Sequence, residues 1–234
     1  MKPRTDVCPK TLLEVNGRPF AWYQLQWMIR QGIADFVYCI GHMGGMIREY
    51  WAKNPIGGVS IHYVDEGSEL RGTGGAIRLA LDHDVLDEEF LVIYGDSYLP
   101  VEIGPVMRAF RESGKPALMT VLRNGGKWDA SNVIFAGNEV LRYDKCPPRE
   151  IAGRMAFIDY GLSVLRRSAV AKRIPSGVRY DLARFYHSLS IEGQLAGFEV
   201  GERFYEIGSP AGFNDFTRYL LKLSSESSDR THRS

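Results

Sequence analysis

Phe90-Leu91-Val92-Ile93-Tyr94-Gly95-Asp96 is a continuous apolar run that stops abruptly at Gly-Asp. Phe, Val, Ile and Tyr favour strands, and a short run without alternation is the pattern of a strand buried on both faces. Such strands lie in the middle of parallel sheets covered by helices. Gly95 lets the backbone turn as it leaves the sheet. Asp96 then stands at the carboxyl edge, where open α/β sheets bind ligands. A carboxylate there holds a metal, caps the next helix or accepts a ligand hydroxyl, and the glycine before it favours a ligand role.

The segments upstream follow the same grammar. Pro19 opens a helix whose apolar face, Phe20, Tyr23, Leu25, Trp27, Met28 and Ile29, runs to Gly32. Residues 36–40 read as a second buried strand ended by Gly41, 43–53 as a helix and 59–64 as a strand. This alternation is the signature of βαβ units and a parallel sheet. Downstream the pattern predicts a helix at 106–112, a strand at 117–122 and a hairpin of 133–135 with 140–143 around Gly137-Asn138. A strand at 156–165 is interrupted by Asp159-Tyr160-Gly161. Helices at 166–173 and 181–189, extended pieces at 198–200 and 204–207, and a closing helix at 211–223 complete one domain, 1–223. Residues 224–234 carry almost no apolar side chains and read as a disordered tail.

Lys and Arg number 29 against 28 Asp and Glu, a net charge of +1, so no bulk charge points to nucleic acid or an anionic membrane. No apolar run is long enough to span a bilayer and no signal peptide opens the chain. Cys8, Cys39 and Cys146 show no metal-ligand spacing and read as reduced thiols of a cytoplasmic protein, with Cys39 in the core. The composition leaves a homo-oligomer open.

Residues 65–75, Asp-Glu-Gly-Ser-Glu-Leu-Arg-Gly-Thr-Gly-Gly, are polar and glycine-rich and lead into a helix predicted at 76–81. Helix-start N–H groups bind anions, and glycine allows close approach. No strand precedes the turn directly, as a dinucleotide fingerprint requires, so by itself it reads equally as a flexible connection. Asp82-His83-Asp84 is similar to a glycosyltransferase DxD, but it lies at a helix end before the strand and reads as a helix stop.

Taken in order, these stretches resemble one family, the sugar-1-phosphate nucleotidyltransferases, over roughly residues 3–223. Pro9-Lys10, Leu12-Leu13 and Gly17-Arg18-Pro19 resemble its "PKxLLxVxGxP". Leu70-Arg71-Gly72-Thr73-Gly74-Gly75-Ala76 resembles its "LGTAGAL" loop, and Gly95-Asp96 its metal-binding "GD". Tyr143-Asp144-Lys145 stands where the family has "EK", Tyr160-Gly161 where it has "AG", and Glu206-Ile207-Gly208-Ser209-Pro210 where it has "DIGTP". The last motif is most similar to the heptose- and mannose-1-phosphate guanylyltransferases. The resemblance implies a Rossmann-like three-layer α/β fold around a mixed, mostly parallel sheet. The family's opening strand and its "GGxGTRL" phosphate loop are absent, so by resemblance Met1 is an internal methionine, the protein extends upstream, and a central strand is missing.

The reaction implied is attack of a sugar 1-phosphate on the α-phosphorus of a nucleoside triphosphate, with release of pyrophosphate. Two anions must meet, so positive charge is the main requirement. The resemblance puts Mg²⁺ on Asp96 and Glu206, Lys10 on the triphosphate and Lys145 on the sugar phosphate. Gly72 and Thr73 would border base and ribose, Asn132, Tyr160 and Gly161 the sugar, and Glu66 and Asp144 would be further substrate-binding residues. Two rivals remain: a glycosyltransferase using a nucleotide sugar, and a non-catalytic homologue that binds one.

Overall fold

The computed structural model describes residues 7–128 and 130–231. A 3-10 turn at Lys10–Leu12 leads into a ribbon of β1 (Glu14–Val15) and β2 (Arg18–Pro19). Then follow α1 (Phe20–Ile29), β3 (Asp35–Ile40), α2 (Gly44–Lys53), β4 (Ser60–Asp65), α3 (Gly72–Asp82), β5 (Glu89–Ile93), β6 (Ser97–Tyr98), α4 (Ile103–Ser113) and β7 (Ala117–Arg123). The second half holds β8 (Val133–Ala136), β9 (Glu139–Tyr143), α5 (Arg149–Ala152), β10 (Phe157–Arg166), α6 (Arg167–Arg173), α7 (Leu182–Ile191), β11 (Leu195–Val200), β12 (Tyr205–Glu206) and α8 (Pro210–Thr231). Among the described residues no helix is long and apolar enough to cross a membrane.

The main sheet has the order β5-β10-β7-β11-β9-β8, and β8 also meets β10 at Val133 and Phe157, so its far side curls toward a barrel. Alternate residues of β7 serve two cores. Leu118 and Leu122 join α1, α4 and α8 on one face, while Ala117, Met119 and Val121 join α3, α6 and α7 on the other. The three-layer α/β reading therefore holds. The mostly parallel sheet does not. Within the main sheet only β7–β11 is parallel, and β3–β4 is a separate parallel pair. The hairpin β8–β9 and the long strand β10, wedged between β5 and β7, enter antiparallel.

The run that decided the fold is a strand, but not a central one. β5 pairs with β10 along one edge, and all five of its residues are only partly buried. Its other edge, and the edge of β3 away from β4, have no strand partner among the described residues. Cys39, expected in the core, is exposed on β3. All three cysteines are free. Helix α3 begins four residues earlier than expected, absorbing Gly72, Gly74 and Gly75 into its first turn. Of the tail expected at 224–234, residues 224–231 belong to α8. With no Gly or Pro after Gly212 to stop it, α8 continues past 223 to Thr231; residues 232–234 lie outside the described residues.

Candidate active site

Asp96 lies on the turn between β5 and β6. The short strand β12 pairs antiparallel with β6, Glu206 opposite Ser97, and the Ile207 amide donates to the Asp96 carbonyl at 3.0 Å. Two carboxylates 110 positions apart are thereby set side by side. A Cβ built on Gly208 would lie 2.5 Å from Glu206 Oε2 and 3.8 Å from Asp96 Oδ2, so both reach the same point. Lys10, on the 3-10 turn, places Nζ 3.5 Å from Asp96 Oδ2. Glu206 also works locally. Its Oε2 accepts the Gly208 amide, and its Oε1 accepts the Ser209 hydroxyl at 2.8 Å, closing the entry into α8.

A second group forms where residues 178–182 fold over the glycine loop. The Tyr180 carbonyl accepts the amides of Gly74 at 2.9 Å and Gly75 at 3.0 Å, and the Tyr180 amide donates to the Arg71 carbonyl. Gly72 has φ +73°, and a Cβ there would come within 2.9 Å of that same carbonyl. The glycines of the loop therefore admit the chain's own backbone, and the amides of Gly74 and Gly75 in the first turn of α3 are already taken. Thr73 Oγ1 accepts the Leu182 amide and donates to Asp181 Oδ1. Asp181 Oδ2 holds Lys145 Nζ at 3.4 Å. Glu66 shapes the loop's other end by accepting the Arg71 amide at 2.6 Å.

A third group sits at the bulge of β10. Asn132 Oδ1 accepts the Asp159 amide at 2.9 Å, and Asp159 Oδ1 accepts the Gly161 amide at 3.0 Å, with Gly161 at φ +100°. Burial pushes the Asp159 carboxyl up to about 6, against the opposing pull of the Gly161 amide and Lys145. The Tyr94 ring lies beside the third group, 3.7 Å from a Cβ built on Gly161. Burial, then the charges of Asp159, Asp181 and Asp96, raise its hydroxyl well above the usual tyrosine value.

Two expected substrate-binding residues point elsewhere. Tyr160 is 2% exposed and packs its ring against Phe204 in the core, because the side chain alternates to the opposite face from its neighbours in β10. Asp144 turns away to Arg142 at 3.2 Å, His187 Nδ1 at 3.7 Å and the Cys146 amide. Lys10, Asp96 and Glu206 come together; Lys145, Thr73 and Gly72 form the second group; Asn132 and Gly161 flank Asp159. Sequence reasoning missed Tyr94, Asp159 and Asp181 as site residues. Each left a trace: Tyr94 directly before Gly-Asp, Asp159 as a charge inside an apolar run, and Asp181 at a helix start.

The profile of the nucleotidyl transferase family matches residues 1–129, more than half of the chain. The chain belongs to that family. A similar curated member is the glucose-1-phosphate cytidylyltransferase of Salmonella typhimurium, 26% identical over 219 residues, covering 85% of this chain and 82% of the relative. The D-glycero-alpha-D-manno-heptose 1-phosphate guanylyltransferase of Aneurinibacillus thermoaerophilus is 33% identical over 95 residues, 41% of this chain and 40% of the relative. Among solved structures, HddC from Yersinia pseudotuberculosis superposes with a TM-score of 0.75 at 16% identity, over 91% of this chain and 90% of that one, a likeness of fold.

For this nucleotidyl transferase, the donor chemistry fits Mg²⁺ bound together with substrate. Mg²⁺ takes oxygen ligands, typically one or two carboxylates with phosphate oxygens and water. Asp96 and Glu206 supply two carboxylates at one point, and among the described residues no group of three acidic, His or Cys side chains forms a full cage.

Proposed function

We propose that this protein joins a nucleoside triphosphate to a sugar 1-phosphate, forming a nucleotide sugar and pyrophosphate. The observation that carries this reading is the convergence of Asp96, Glu206 and Lys10 at the carboxyl end of β5. Family membership and similarity to a sugar-1-phosphate enzyme over most of both chains support it.

The attacking phosphate oxygen is already anionic, so no side chain has to act as nucleophile or strong base. The protein's task is to bring two polyanions together and hold them in line. Lys10 is a point charge for the triphosphate, and Lys145 one for the sugar phosphate. Asp96 and Glu206 would hold Mg²⁺, which neutralises developing charge on the phosphates. Asn132 braces the Asp159 backbone rather than reaching outward, so the sugar side of the cleft is floored by Asp159, Gly161 and Tyr94.

The test is pyrophosphate release with CTP, UTP, dTTP and GTP, each paired with glucose, mannose and heptose 1-phosphates in the presence of Mg²⁺. One pairing should turn over well above the rest, and its base and sugar define the specificity. A glycosyltransferase releases no pyrophosphate, and a purely binding homologue shows affinity without turnover in every pairing.

A further inference from the structure

Lys145 and Thr73 come from distant parts of the chain, and one carboxylate joins them. Asp181 is the N-cap of α7, its Oδ1 accepting the Ala183 amide at 2.9 Å. The same oxygen accepts the Thr73 hydroxyl at 3.3 Å, while Oδ2 holds Lys145 Nζ at 3.4 Å. The residue before it is fixed as well, since Tyr180 bonds Arg71, Gly74 and Gly75 through its backbone. Asp181 is thus anchored on two elements, and among the described residues Lys145 is its one long, solvent-facing partner, with 66% of its side chain exposed.

We propose that Asp181 is a positioning residue, which holds the Lys145 ammonium over the sugar-phosphate side of the cleft and ties it to the glycine loop at Thr73. The proposal rests on the reading that Lys145 meets the sugar phosphate. An unrestrained lysine tip carries rotamer entropy that a phosphate would have to overcome in capturing it. An exposed ion pair contributes only about 0–1 kcal/mol. That is enough to bias the side chain toward one region and too little to keep it from a dianionic phosphate. Burial raises the Asp181 carboxyl, but the Ala183 amide and Lys145 outweigh it and leave the group below its ordinary value, so the tether stays charged at neutral pH. The arrangement also explains why the loop is rich in glycine: a side chain at Gly72 or Gly74 would push back the segment that delivers Asp181.

Asp181→Asn separates the tether from the cap. Asparagine caps helices as well as aspartate does, and its carbonyl oxygen still serves Ala183 and Thr73; only the charge facing Lys145 is lost. The lysines of the full chain are labelled by reductive ¹³C-methylation, which preserves their charge, and the Lys145 signal is assigned with Lys145→Arg. Glucose 1-phosphate and mannose 1-phosphate are the titrated probes. The wild-type Lys145 signal should respond to at least one of them. In Asp181→Asn the Kd for that probe should rise about fivefold, the scale of one exposed ion pair, at unchanged Tm. Asp181→Glu, which restores charge but not the cap, should recover affinity while lowering Tm. An Asp181→Asn protein that binds as tightly as wild type or tighter overturns the proposal, as does a variant whose weaker binding tracks a fall in Tm. A wild-type Lys145 signal that ignores both sugar phosphates overturns the assigned role of Lys145, and the tether with it.

Discussion

Glu206 sits opposite Ser97 in the β6–β12 pair, the Ile207 amide bonds the Asp96 carbonyl, and a Cβ built on Gly208 would lie 2.5 Å from Glu206 Oε2 and 3.8 Å from Asp96 Oδ2, so the two carboxylates converge at the mouth of α8. The ribbon is short, but its hydrophobic backing is not. Tyr98 and Tyr205 both pack on Phe216 and Tyr219 of α8, which fixes the register that brings the two acids together. Because the acids differ in their other contacts, substitutions at the two positions should separate function from stability.

Among the described residues the side-chain partner of Asp96 is the exposed Lys10, and the Asp96 side chain is 37% exposed. Asp96→Asn keeps shape and removes charge. Pyrophosphate release should fall by about 100-fold or more, as expected when a ligand of a catalytic cation is lost, while the thermal midpoint stays where it was. Near-normal turnover would remove Asp96 from the metal site.

Glu206 differs because it closes the entry into α8 through Gly208 and Ser209. Glu206→Ala leaves that amide and hydroxyl without their acceptor. The expected loss is about 1–2 kcal/mol, the usual scale of a lost helix-entry bond, read as a lower urea midpoint in addition to lost turnover. If Glu206→Ala and Asp96→Asn prove equally stable, the capping role is wrong.

Gly72→Ala tests what the glycine loop is for. A methyl group there meets the Tyr180 carbonyl at 2.9 Å from a backbone at φ +73°. The carbonyl cannot retreat without breaking its bonds to Gly74 and Gly75. The substitution should cost about 1–3 kcal/mol, measured without any ligand present. A variant as stable as wild type in the ligand-free state would mean that the glycine is kept open for the nucleotide instead.

Much of the frame was legible because it depends on local pattern. The βα alternation, the helices at both ends of the first half and the hairpin at Gly137-Asn138 follow from periodicity and turn chemistry. The edge position of β5 did not, since burial on both faces and pairing on both edges are different properties that one apolar run cannot distinguish. At the site, Lys10, Asp96 and Glu206 could be named from ordered motifs although they are far apart in sequence. Asp181 could not, because its role exists only once residues 178–182 fold over the glycine loop. Nor could the burial of Tyr160 be read from its motif. In a bulged strand one residue of register decides which face a side chain takes, and here it sends Tyr160 to the core and turns Asp159 to the Gly161 amide.

Tyr160→Phe follows from that placement. The Tyr160 hydroxyl is buried without a hydrogen-bond partner among the described residues. Removing a buried, unpartnered polar group costs nothing and gains up to about 1 kcal/mol. Turnover and the KM for the sugar phosphate should be unchanged and the thermal midpoint equal or higher. A raised KM would return the hydroxyl to the sugar.

Asp159 gives the pH dependence. Burial is the main reason its carboxyl is raised, to about 6, from an unfolded value near 3.8. The native state therefore holds this proton more tightly than the unfolded chain. Its contribution to stability is fully present below about pH 4 and is lost as pH rises through 6. A rise of that size corresponds to about 3 kcal/mol at most, and partial solvent access reduces this to about 1–2 kcal/mol. Asp159→Asn carries no proton to lose, so its stability advantage over wild type should be close to zero at pH 4, grow between pH 4 and 6, and be constant above pH 7. Urea unfolding across that range measures it directly. On the proposed reading the same substitution also removes a carboxylate whose charge acts on Lys145, so turnover should fall as stability rises, the trade expected where a charge is held in an unfavourable place for function. An advantage that is the same at every pH would mean that Asp159 is already ionised in the native state at pH 4, and that the cleft floor is wetter than its geometry implies.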